Sequence, residues 1–420
     1  MVTTDMVLTL FFTAVGIGVF VLVFFMMRGD KARWRSKQEK AKSEMEQQHR
    51  EAAGAGKGGG GRKGKGSLQK GAAAKAIGKP GKAAAEKATH HPLYVNNLKG
   101  FAGEIYCVVI DNVSSQICVA CGDRTLRVFT IDKSKPIEEA MQNPPYARGN
   151  IEADSASACD FTADGQQVVA AMMQSRCLAV HRIAKDPAKG KAMQVVYRTE
   201  QPVHKNEVKF LSASKGKWVV TASCDDDTDV KIWSYRGELL ASYDTKQVRN
   251  YFTTTSLLDG RFVGVAAWSP GIKIMEVTSK NQEFSKLSRA MDLKTDRGAN
   301  AVAFYPDHKK AIIATKDAAL ALWTIDVRYH MSEDPRKLHT HQEDDPMFKN
   351  WTALAVTPDC SRLVAVAERH IKIFSLPKFE CVDKVEDAHQ SPILTLAMAP
   401  DGHFFATGAA DHKPRIWRIP

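Results

Sequence analysis

Cys118 and Cys121 have the spacing closest to working chemistry, since C-x-x-C serves dithiol redox centres and supplies half of a tetrahedral zinc site. The pair sits inside the strand-like run QICVACG, with no strand-to-helix step beside it and no second pair to complete a metal site. The eight cysteines fall mostly in apolar runs, as buried reduced thiols do, and a reducing compartment fits them best. His330, His339 and His341 lie in the acidic insertion HMSEDPRKLHTHQEDDPMF, where no periodicity fixes a ligand spacing, so a solvated loop is expected there. His90 and His91 end a linker, and His181 stands where sister segments carry an aromatic, the place of a packed core imidazole. GGGRKGKGS approaches a phosphate loop, but Gly66 occupies the hydroxyl position and no strand precedes it. With no nucleophile elbow or HExxH either, the expectation is a chain that is not an enzyme and holds no cofactor or metal.

Charge separates the chain into parts. Residues 28–91 hold 17 Lys/Arg against 6 Asp/Glu, whereas everything from Pro92 onward holds 42 against 40. The net +12 therefore belongs to a linker and not to a folded nucleic-acid surface. Residues 6–27 (MVLTLFFTAVGIGVFVLVFFMM) carry no charge and reach about 33 Å as a helix, long enough to span a bilayer. Asp5 precedes this run, while Arg28, Lys31, Arg33, Arg35 and Lys37 follow it, so residues 1–5 are expected in the lumen and the rest in the cytosol. Residues 28–53 favour a basic juxtamembrane helix, and 54–91 form a Gly/Ala/Lys linker that lacks the apolar mass for a core. That linker is a tether, with anionic lipid or RNA phosphate as alternative contacts. Asn112-Val-Ser and Asn350-Trp-Thr are glycosylation acceptors that a cytosolic domain leaves bare.

The elements that position everything else repeat. A terminal strand of each unit reads LRVFTI (126–131), LAVHRI (178–183), VKIWSY (230–235), IKIMEV (272–277), LALWTI (320–325), IKIFSL (371–376) and PRIWRI (414–419). The turns TADG, LLDG, YPDH, TPDC and APDG introduce the strand before it. Seven such units predict an all-β, seven-bladed WD40-type propeller over 92–420, preceded by the single transmembrane helix. Asp123, Asp227, Asp317 and Asp411 stand where a carboxylate fixes the tight turn, while Ser175, Ser269 and Glu368 replace it in blades expected to be held less firmly. Only the last repeat, with His389, Thr407, Asp411 and Trp417, approaches the full pattern. Because the chain ends after a third strand, PLYVNNL (92–98) is expected to pair with the strand around Trp417. Arg124, Arg176, Lys316, Arg369 and Lys413 place a cation near five of the seven turns, a candidate partner-binding rim opposed by Asp225 and Asp226.

The string Trp323-Thr-Ile-Asp326-Val327-Arg-Tyr329, followed by Asp334-Pro335, resembles a stretch of the transducin beta-like protein 2 family. Gly122-Asp123-Arg124-Thr125, Trp268-Ser269-Pro270 and the order of anchor, basic linker and propeller are similar as well. The resemblance covers nearly the whole chain and departs at the C-terminus, where vertebrate members continue into a helical tail. It implies an endoplasmic-reticulum membrane scaffold in the stress response and translational control. The partners it implies are the stress kinase of that membrane and ribosomes or messenger RNA. It carries no catalytic residues. A guanine-nucleotide exchange factor for a small GTPase of vesicle transport is the alternative, as is RNA or ribosome binding through the linker.

Overall fold

The computed structural model describes residues 90–420 except 184–191, 214–215, 248–249, 256–259 and 282. The regions expected at 1–5, 6–27 and 28–53, and the linker at 54–91 except His90 and His91, lie outside the described residues. Among the described residues no helix is long and apolar enough to cross a membrane.

Seven antiparallel four-stranded sheets follow one another around a ring. The first blade is β2 (Ile105–Ile110), β3 (Gln116–Cys121), β4 (Thr125–Thr130) and β5 (Tyr146–Asn150). The second is β6 (Ala156–Phe161), β7 (Gln167–Met172), β8 (Leu178–Arg182) and β9 (Gln194–Arg198). The third is β10 (Val208–Ser212), β11 (Trp218–Ser223), β12 (Asp229–Ser234) and β13 (Leu239–Asp244). The fourth is β14 (Asn250–Thr255), β15 (Phe262–Ala267), β16 (Ile272–Lys280) and β17 (Glu283–Leu293). The fifth is β18 (Ala299–Phe304), β19 (Lys310–Thr315), β20 (Ala319–Thr324) and β21 (Arg336–Gln342). The sixth is β22 (Trp351–Val356), β23 (Arg362–Ala367), β24 (His370–Ser375) and β25 (Glu380–Val385). The seventh takes β26 (Ile393–Met398), β27 (Phe404–Ala409) and β28 (Arg415–Arg418) from one end of the domain and β1 (Tyr94–Asn97) from the other.

The expected closure is present. β1 runs antiparallel to β28 with Tyr94 opposite Trp417 and Asn97 opposite Arg415, and the two rings Tyr94 and Trp417 meet edge to face at 5.6 Å. The innermost strands neighbour one another in order, and β26 neighbours β2, so the ring is shut. Side chains from the first and last blades share one core, in which Ile105, Val108 and Ile117 pack with Phe404, Ala406 and Ile416. Gly408 is required at this seam, because a Cβ there would lie 2.4 Å from Ile105 Cγ2.

Both faces of each blade are covered by neighbours, so the second strands lose polar alternation and read as runs of Val and Ala. β15 (FVGVAA) and β27 (FFATGA) are buried at every position, and β23 (RLVAVA) at every position but its first. Cys118 and Cys121 belong to such a strand, Cys118 in the core toward the second blade and Cys121 in the core toward the seventh. Outermost strands have the opposite character, which corrects one expectation. The insertion read as a solvated loop contains β21, RKLHTHQ, whose polarity reflects a strand with little to cover it. His339 and His341 alternate along β21 onto one face and stack on Phe379, with centroids 5.7 and 6.0 Å apart.

Candidate functional site: the ring of turns and the channel

The turns joining second to third strands each hold one left-handed residue: Arg124, Arg176, Asp225, Gly271, Ala318, Glu368 and His412, with φ between 51° and 98°. Such turns leave backbone N–H groups pointing away from any strand partner, and carboxylates collect them.

In the seventh blade Asp411 accepts from His389 Nδ1 at 3.1 Å and from the backbone N–H of Gln390 and Lys413. His389 Nε2 lies 2.8 Å from Thr407 Oγ1, which accepts from Trp417 Nε1 at 2.9 Å. One proton order satisfies the whole chain: Trp417 donates to Thr407, Thr407 to neutral His389, and His389 to ionised Asp411. Burial lowers the His389 pKa against the hydrogen bond and charge of Asp411, consistent with that neutral form.

A second complete set, of which the sequence pattern shows only Asp227 and Trp233, stands in the third blade. His204 Nδ1 is 3.2 Å from Asp227 Oδ2, His204 Nε2 is 2.9 Å from Thr221 Oγ1, and Trp233 Nε1 donates to the same oxygen at 2.9 Å. Burial pushes the Asp227 carboxyl up, but the hydrogen bond and charge of His204 and the N–H groups of Lys205 and Asn206 outweigh it and hold it at about 2. The signal was present: Asp227 precedes Trp233 by the same interval as Asp411 precedes Trp417, and the longer turn CDDDTDV disguises the rest.

The other blades improvise. Asp123 accepts from the Thr125 hydroxyl and backbone and is paired with Arg127 at 3.1 Å. Asp317 stays near the surface, accepting from Thr315 Oγ1 at 2.5 Å, with Arg297 at 3.9 Å. The second blade, expected to be weaker for want of an Asp at Ser175, is held from the other side of the turn. Buried Asp154, on the loop entering β6, accepts from the N–H groups of Ser155, Gln174 and Ser175 at 2.8 to 2.9 Å. In the sixth blade Arg369 pairs with Asp387 at 2.8 Å, and Asp387 N donates to His370 Nδ1. A cation recurs in the third strands two positions before the aromatic, at Arg127, Lys231, Lys372 and Arg415, and at Lys273 two positions before Met275. Lys372 and Arg415 are buried, one 2.8 Å from buried Glu343 and the other donating to the Ala388 carbonyl at 2.7 Å. The strings VKIW, IKIF and PRIW contain this signal.

All five rim cations lie on turns of this ring, but they are not equivalent. Arg124 is exposed and Lys413 half-buried. Arg176 donates to the Lys205 carbonyl, Lys316 Nζ sits 3.3 Å over the Trp268 ring, and Arg369 engages Asp387. Trp268, 59% exposed on the turn of the fourth blade, is a rim feature that the sequence marked only through the Trp268-Ser269-Pro270 resemblance. Inside the ring the first strands line a channel of about 700 Å³ with Cys107, Ser157, Phe210, Phe304, Thr352 and Thr395 on its wall. Among the described residues no three His, Cys, Asp or Glu are grouped to hold a metal ion.

These features define a seven-bladed β-propeller carrying a WD40 repeat. The WD domain, G-beta repeat, matches residues 379–418, the stretch that holds the complete set around His389 and Trp417. The chain is 27% identical to human transducin beta-like protein 2 over 330 residues, covering 78% of this chain and 72% of that protein. The mouse protein of the same name matches equally over the same length. The resemblance seen in the sequence is thus matched by curated relatives of that name.

Proposed function

We propose that this chain is a non-catalytic scaffold, anchored by residues 6–27 in the endoplasmic-reticulum membrane, whose propeller recruits cytosolic proteins in the stress response and translational control. The observation that carries the reading is the turn ring. It is a rigid platform fixed by buried carboxylates, on which Arg124, Arg176, Lys316, Arg369 and Lys413 surround one face with cations beside exposed Trp268. Rigid turns carrying Arg and an exposed aromatic are the composition of protein-binding surfaces. The likeness to transducin beta-like protein 2 supports a protein-binding role, and the stress kinase of that membrane is the proposed partner. The basic linker between anchor and propeller gives reach and holds anionic surfaces, lipid or ribosomal, by charge.

The test is proximity labelling from the full chain in intact cells, with all five rim cations reversed to Glu in the comparison. Loss of the propeller's partners with the chain still at the membrane is the expected result. An unchanged partner set removes the rim from the reading.

A further inference from the structure

The borrowed strand that completes the ring is held by less ladder than any other outer strand. β1 has four residues, against five to eleven in the outer strands of the other blades, and its register with β28 shifts between Tyr94 and Asn96. Those other strands follow their third strand within one blade, whereas β1 precedes β28 by nearly the whole domain. Loop-closure entropy therefore opposes the β1 pairing most. A short ladder that closes so long a loop needs support from outside itself.

The connection between β4 and β5 supplies that support. After Pro136 it makes one helical turn, α1 (Ile137–Ala140), and the Met141 carbonyl that follows accepts from Asn96 Nδ2 of β1 at 2.6 Å. Glu138 of the same turn pairs with Arg418 of β28 at 2.9 Å, so both strands of the ladder are gripped. Ala140 and Met141, the latter 0% exposed, enter the seam core with Leu98, Ile105 and Ile416, and Ile137 packs against it. The connection is braced within itself: Asp132 accepts from the Ser134 N–H and hydroxyl, and Lys135 lies 3.7 Å from Asp132 and 3.8 Å from Glu139. A half-exposed ion pair contributes little alone, so burial of Met141 carries most of the grip. Asn96 and Met141 are 45 residues apart, which makes this a far shorter loop to close than the ladder's own.

We infer that the β4–β5 connection is a strap, built by the first blade, that keeps the borrowed strand seated, so that releasing it opens the ring at β1 while the other blades stay formed. Local opening draws on the least supported contacts of a fold, and here those are the ladder of β1 and the strap across it. An unseated β1 bares the edge of β28 and uncovers the Trp417 ring that Tyr94 meets. The chain enters the domain through β1, so the strap also stands where any movement of the preceding segment meets the ring.

Hydrogen–deuterium exchange, read by mass spectrometry on the purified full chain in detergent micelles, tests this. The β1 peptide should exchange about tenfold faster or more in Met141→Ala and about threefold faster in Asn96→Ala, while peptides of β18, β19 and β20 keep wild-type rates. Arg418→Glu should also speed exchange in β1, and adding Glu138→Arg should restore it, a rescue that general weakening of the seam does not give. Unchanged β1 exchange in Met141→Ala, or acceleration spread evenly over all the blades, overturns the inference. A charge swap that fails to restore β1 overturns the grip on β28.

Discussion

His181 lies in the core with neither ring nitrogen hydrogen-bonded among the described residues, and burial lowers its pKa from 6.5 to about 4. Between those values the unfolded chain binds a proton that the folded chain refuses. The stability conferred by the neutral ring is therefore intact above pH 6.5 and drains away as pH falls toward 4, by about 3 kcal/mol in all. His181→Phe, which restores the aromatic of sister strands, should match or exceed wild-type stability at pH 7 and lose less on acidification, read from urea melts at pH 7 and pH 4.5. Thr221 and Thr407 make a second case. Each hydroxyl serves a His and a Trp at once, so Thr→Val leaves two buried nitrogens unpaired and should cost about 2–4 kcal/mol at either site. A thermal melt showing no change would mean that the buried polar chain is dispensable. The seventh-blade set could be read from the residues because its spacing is regular. The third-blade set was hidden by an enlarged turn, and Asp154 was hidden because a carboxylate can approach a turn from either side in space while occupying only one place in sequence.

Strands showed the same division between what burial makes visible and what exposure conceals. Third strands such as VKIWSY and IKIFSL stand out because they pack on both faces, and all seven were found where the repeat put them. Outermost strands such as β21 and β9 face solvent, so no covered face imposes a pattern, and RKLHTHQ passed for a loop. β1 is an outermost strand too, yet it was legible from topology, because a blade with three strands demanded a donor. Its contribution can be measured directly. A chain beginning at residue 90 should fold as a soluble, cooperatively melting domain, whereas one beginning at 99 exposes the edge of β28 and the ring of Trp417, which is otherwise 0% exposed. The shorter chain should aggregate or melt at least 10 °C lower, and equal melts would show that the seventh blade stands on three strands.

For the molecule as a whole, the side of the membrane on which the ring sits is testable at Asn112 and Asn350. With the propeller in the cytosol, neither asparagine meets the lumenal transferase, so endoglycosidase treatment of the cellular protein should leave its mobility unchanged. In the folded ring the acceptor motifs are also engaged: Ser114 is buried and its hydroxyl accepts from Asp401 N, and Asn350 accepts from Asn300. A sugar-dependent shift would place the ring in the lumen and remove its proposed partners. The borrowed strand also sets a timetable. Tyr94 meets Trp417 roughly 320 residues after it is made. At about 5–20 residues per second, a ribosome holds the two apart for tens of seconds. Throughout that interval the early blades have emerged but nothing can latch them, so the nascent chain depends on whatever shields its first edge until β28 has been made.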